Sequence, residues 1–149
     1  MDELRISYGT NWQKNHWKAI ESAYNKSPFF EFYKDAFIPF YEKKFSGLLH
    51  FNTELLKMIL DLMKLKIRIG FTKEYIEKYG DEVPDRREQF HPKPLKAASG
   101  NNFKPRPYRQ VFSTSNGFLA DTSMVDLLFC LGPAAKLYLE ESNLRIDRF

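Results

Sequence analysis

Lys66-Ile67-Arg68-Ile69-Gly70-Phe71 is the stretch on which the fold class turns. Its apolar residues recur at every second position, the period of a half-buried strand, immediately after a run with helical spacing. Two other runs read the same way. Leu4-Arg5-Ile6-Ser7-Tyr8 alternates and is closed by Gly9, and Tyr108-Arg109-Gln110-Val111-Phe112 follows a long polar stretch. Taken as strands, they give a helix-rich α/β domain, with about six helices around a small parallel sheet of two or three short strands. The alternation of strands with helices is the reason to expect parallel pairing. The alternative is an essentially all-α chain, since most residues fall in helical patterns.

Those patterns lie on both sides. Thr10 or Asn11 can cap a helix in which Trp12, His16, Ile20 and Ala23 share one side, with Trp17 and Tyr24 beside them. Ser27-Pro28 ends it and opens a second, carrying Phe29, Phe30, Tyr33, Phe37, Phe40 and Tyr41, with Pro39 expected to kink it or end it late. Leu48, Leu55, Leu56, Ile59, Leu60 and Met63 form the apolar stripe of a third. Thr72 is placed to cap a short helix through Tyr79. Asp121 or Thr122 caps another that runs to Leu131; Gly132 ends it, and Pro133 opens a last helix through Leu139. Residues 80–107 hold many Pro, Lys, Arg, Asn and Gly without a sustained period. They read as one long loop, of a length that is commonly functional or disordered.

At 149 residues the chain has the size of one domain, taken here as 1–149. Its 28% charged residues of both signs, with 43% apolar, argue against disorder. Aromatic residues make up 16%, with 14 Phe, which points to a Phe-rich core. The single cysteine, Cys130, cannot form an intramolecular disulfide and sits in the apolar run Leu127-Leu128-Phe129-Cys130-Leu131, where a thiol acts as a small buried hydrophobe. The start, Met-Asp-Glu-Leu-Arg, lacks the apolar core of a signal peptide, and no run approaches the ~20 apolar residues of a membrane span, so a cytoplasmic placement is expected. A net charge of +4 without clustering on one face argues against nucleic acid as a partner.

The motif inventory is short. GxGxxG, P-loop, HExxH and GxSxG are absent, and no cofactor is expected. His16, His50 and His91 share no metal-ligand spacing, so no metal is expected either. Three constellations remain. In Trp12-Gln13-Lys14-Asn15-His16-Trp17, His16 could transfer a proton near a helix start, or lie on the buried seam with its nitrogens satisfied. Asp85-Arg86-Arg87 with His91-Pro92-Lys93 could grip phosphate or carboxylate; equally, Asp85 and Arg87 could brace a loop. Asp126, a carboxylate in an apolar run, is either hydrogen-bonded to backbone, with Ser123 in a helix cap, or perturbed for a task.

Together these stretches resemble the WbqC-like family, in the form common among Bacteroidetes-type bacteria. Its W-Q-x-x-H-W-x-A-I-x-x-A-Y block matches Trp12, Gln13, His16, Trp17, Ala19, Ile20, Ala23 and Tyr24. Its S-P-F-F-x-x-Y element matches Ser27, Pro28, Phe29, Phe30 and Tyr33. A D-x-R-x-x-x-x-P-K signature matches Asp85, Arg87, Pro92 and Lys93. The Y-x-x-V-F…G-F…S-x-x-D-L-L-F…G-P block matches Tyr108, Val111, Phe112, Gly117, Phe118, Ser123, Asp126, Leu127, Leu128, Phe129, Gly132 and Pro133. Departures include Cys130-Leu131, where family members usually carry Asn-Glu, and the basic insert at 93–106. Family members also generally begin with a further strand-rich segment, so this chain reads as N-terminally truncated relative to them.

The resemblance implies a role in bacterial surface-polysaccharide synthesis of the O-antigen type and assigns no reaction; the first reading of the residues within it is a protein that binds or modifies a nucleotide-activated sugar. On that reading His16 is the proton-transfer candidate, Arg87 and Lys93 the anion clamp, Trp17 or Tyr24 the sugar-stacking surface, and Asp85 a further ligand-binding candidate. The partner would then be an anionic or nucleotide-sugar small molecule. The alternative is a non-catalytic interaction or scaffold subunit of a polysaccharide-assembly complex, as a homo- or hetero-oligomer.

Overall fold

The computed structural model describes residues 4–80, 82–83, 85, 87, 105–120 and 122–142. Among these the regular structure is helical: α1 (Trp12–Tyr24), α2 (Phe30–Glu42), α3 (Leu48–Leu62), α4 (Ser113–Asn116), α5 (Met124–Leu131) and α6 (Ala135–Glu141), with a 3-10 turn at Gly132–Ala134 before α6.

No sheet forms among the described residues, so the α/β expectation gives way to the all-α alternative. Each expected strand fails for its own reason. In the first, Arg5 meets Gly47 in one isolated antiparallel bridge, flanked by Ile6 N–H to Ser46 O (3.2 Å) and Leu48 N–H to Leu4 O (2.8 Å). It stops there because Gly47 is the residue from which α3 starts. The second, 66–71, pairs its backbone with no backbone group among the described residues. In the third, the Gln110 side chain supplies what a neighbouring strand would. Its Nε2 donates to Leu119 O (2.9 Å) and its Oε1 accepts from Leu119 N–H (2.9 Å). The short helix expected from Thr72 to Tyr79 is also absent.

The three long helices fall where apolar spacing placed them. α2 ends at Glu42, three residues past Pro39, the late end expected of it, and Lys43 N–H closes on the Pro39 carbonyl at 3.0 Å. The helix end is then completed by a side chain. Gln13 Nε2 of α1 donates to Phe40 O (3.2 Å) and Lys43 O (2.7 Å), carbonyls that a helix C-terminus leaves without partners. α3 ends differently. Lys64 adopts a left-handed φ of 55°, its N–H bonds Asp61 O and the Leu65 N–H bonds Leu60 O, both at 2.9 Å. This double closure is a Schellman motif, with buried Leu65 against buried Leu60 as its apolar contact.

The core centres on α5, which is apolar at every position but Asp126 and buries all of residues 126–130. Leu128 and Phe129 have no exposed surface. The rings of Tyr24, Phe30 and Phe37 surround Phe129 at 5.1–5.2 Å between centroids, tilted or edge-on, as aromatic quadrupoles prefer. α2 is pinned directly to this helix by Phe29 N–H donating to Phe129 O at 3.0 Å.

Candidate functional site

The most concentrated polar chemistry within the core is built on Asp126, which is 5% exposed in the first turn of α5. Its Oδ2 accepts from Tyr108 Oη (2.5 Å), Gln110 Nε2 (3.1 Å) and Thr122 Oγ1 (3.3 Å), and its Oδ1 lies 3.9 Å from Cys130 Sγ. Thr122, Asp126 and Cys130 are spaced by four residues, one face of a helix. Tyr108 and Gln110 come from the segment before α4. Ser123 makes no side-chain cap on α5, so the capping account of Ser123 with Asp126 is replaced by this network.

The surroundings keep the neighbouring acids protonated. Burial, then the charge of Asp126, pushes the Tyr24 hydroxyl up to about 12. Burial and Asp126, in the same order, push the Cys130 thiol up to about 11. Tyr108 is likewise raised by burial and by its hydrogen bond to Asp126. A thiol held so high is a poor nucleophile at neutral pH. With its donors supplied by Tyr108, Gln110 and Thr122, the cluster is arranged to lock α5 to the 108–122 segment.

The other candidate residues lie apart. His16 is on the exposed face of α1, edge-on to Trp12 at 5.3 Å, rather than on a buried seam. Trp17 is half-buried, stacked on Phe30 (6.1 Å) and tilted against Tyr41 (5.7 Å). Tyr24 packs on Phe129 and faces Asp126. Lys93, His91 and Arg86 lie outside the described residues.

Arg87 is engaged on every nitrogen. Nε donates to both Asp85 carboxylate oxygens (2.9 and 3.0 Å), Nη1 to Ile76 O (2.9 Å) and Nη2 to Glu77 O (3.1 Å) and to Asp85. Its guanidinium also lies over the rings of Tyr75 and Tyr79, at 5.3 and 5.1 Å. The Arg87 side chain in turn holds the Asp85 carboxyl down to about 2. This is the bracing geometry: the Arg87 side chain ties Asp85 to residues 75–79.

Sequence reasoning singled out Asp126 but not its partners Tyr108, Gln110 and Thr122. The four-residue spacing of Thr122, Asp126 and Cys130 was a usable signal. Nothing in the sequence linked Asp126 to Tyr108, eighteen residues away.

Open grooves mark the surface among the described residues. One, of about 1030 Å³, runs beside Arg5, Tyr8, Lys44 and Phe45. Another, of about 460 Å³, lies between the end of α3 and residues 65–69. Among the described residues no group of three His, Cys, Asp or Glu could hold a metal ion, and no helix is long and apolar enough to cross a membrane.

Residues 1–91, more than half of the chain, match the sequence model of the WbqC-like protein family. No curated protein and no solved structure matches the chain.

Proposed function

From the premise that the chain belongs to the WbqC-like protein family, we propose that it acts as a non-catalytic interaction subunit in bacterial surface-polysaccharide assembly. The observation that carries this is the apolar surface that follows α3. Ile67, Phe71, Tyr75, Ile76 and Val83 are 42–83% exposed on a stretch whose described residues form no helix or strand. Apolar side chains scattered singly over a surface are ordinary, and it is their recurrence along one stretch of chain that supports reading it as a contact surface. The polysaccharide setting rests on the family resemblance. Binding or modifying a nucleotide-activated sugar, the other reading of the residues, draws no support from Arg87, whose Nε, Nη1 and Nη2 all donate within the chain.

The test is photocrosslinking in the producing bacterium, with benzoylphenylalanine replacing Phe71 and, as a control, Lys18 on the exposed face of α1. The reading expects a discrete adduct from position 71, containing a protein of polysaccharide assembly, and none from position 18. No adduct at position 71 would overturn it.

A further inference from the structure

We infer that residues 66–71 are a docking edge for a protein partner that offers an extended, acid-bearing segment and adds it by backbone pairing. This deepens the interaction reading above and rests on it.

The edge begins from a fixed point. The Schellman closure of α3 turns the chain at Lys64 and buries Leu65, and Ile69 packs partly against the core. Between and beyond these anchors Lys66, Ile67, Arg68, Gly70 and Phe71 are exposed. Among the described residues, no N–H or C=O of 66–71 has a backbone partner. Such groups are the template on which another strand assembles. The side chains agree. With a period of two, Lys66 and Arg68 fall on one side of the edge and Ile67, Ile69 and Phe71 on the other.

Charge selects the occupant. The groove beside this edge is lined by Lys57, Lys66 and Arg68 against one acid, Asp61. Lys57 is paired with Glu54 at 2.9 Å, while Lys66 and Arg68 have no ion-pair partner among the described residues. A second copy of this edge would bring cations against cations, which opposes pairing. A segment with Glu or Asp at alternate positions reverses the sign and leaves its apolar side facing Ile67 and Phe71.

The experiment uses the full chain and fluorescence anisotropy with labelled, end-blocked peptides of about six residues, the usual strand length. One alternates Glu with Val, the second alternates Lys with Val, and the third is the Glu peptide with alternate amides N-methylated. The Glu peptide is expected to bind at least roughly tenfold more tightly than the Lys peptide, from two cross-strand charge pairs changing sign. Lys66→Glu with Arg68→Glu should reverse that order, and both sites are exposed, so the fold should be kept. N-methylation should remove binding. No binding of the Glu peptide, equal binding of the Glu and Lys peptides, or undiminished binding after N-methylation would overturn the inference. So would concentration-dependent dimerisation lost in the charge-reversed variant, which would name a second copy as the occupant. Crosslinking from position 71 separates the two claims: adducts alongside peptide failure would sink only this inference, and no adducts would sink the interaction reading with it.

Discussion

The ring of Phe29 lies directly on the backbone of Gly132, so closely that a Cβ at residue 132 would stand 2.5 Å from Phe29 Cδ1. Gly132 also has φ 55° and ψ −125°, a region that side chains with a Cβ rarely enter. The two constraints coincide where α5 turns into α6 and where Phe29 begins α2.

Gly132→Ala should therefore destabilise by about 2–4 kcal/mol, from backbone strain plus overpacking. Denaturant midpoints measure this. The double variant with Phe29→Ala should cost less than the sum of the single changes, because removing the ring relieves the clash but not the strain. Strict additivity would show that the ring contact is irrelevant.

Lys64 holds a left-handed φ of 55° at the position after α3 where glycine is the usual residue. Lys64→Gly should raise stability by about 0.5–1 kcal/mol, the cost of that conformation less the added freedom of the unfolded chain. A thermal midpoint higher by roughly 1–4 °C is the expected reading for a chain of this size. Lys64→Val should move it the other way, since a β-branched residue fits that region worst.

The positions of α1, α2 and α3 were legible because their apolar residues recur at spacings of three and four, a signal that needs no knowledge of what they pack against. The sheet was misread for the opposite reason. Residues 66–71 have the alternation of a strand, but a strand exists only with a partner, and alternation carries no information on whether one is present. Tyr108 and Gln110 alternate as well, yet their side chains are consumed by Asp126 and Leu119. Asp126 was visible as an anomaly in an apolar run, but its partners were not, because sequence spacing shows only neighbours on the same element.

Within the Asp126 cluster the distances rank the contributions. Tyr108→Phe removes the 2.5 Å donor and should cost about 1–3 kcal/mol, because the buried carboxylate loses its shortest hydrogen bond. Thr122→Val removes the 3.3 Å donor to Asp126 and the same hydroxyl's contacts with Tyr108 Oη (3.0 Å) and Gln110 Nε2 (3.3 Å), none of them the carboxylate's shortest bond, and should cost less. Equal losses in chemical denaturation would mean that Asp126 does not organise the cluster.

Arg87→Lys should loosen the contact of residues 85 and 87 with residues 75–79 while leaving global stability unchanged, as expected for an exposed brace. A lysine offers a point charge where the guanidinium reaches Asp85, Ile76 O and Glu77 O at once. Faster proteolytic cleavage in this segment at an unchanged thermal midpoint is the expected result. The brace should also survive acid well: its contribution is lost only as pH falls from 3.8 toward about 2, the range over which Asp85 protonates.

Cys130 gives the alkaline counterpart. In the folded chain its thiol is pushed from 9.0 up to about 11, by burial and then by Asp126, and Tyr24 rises from 10.0 to about 12 for the same causes. Unfolding returns both to their ordinary values and so releases protons. The stabilisation from keeping them neutral is complete below about pH 9 and is lost as pH rises through 11 and 12. Denaturant midpoints should accordingly fall above pH 9, and less steeply in Cys130→Ala once its lower starting stability is allowed for. At neutral pH, iodoacetamide should label the buried thiol only as fast as the protein opens, so urea should accelerate labelling. Rapid labelling under native conditions would place Cys130 at an accessible surface and contradict the cluster described around Asp126.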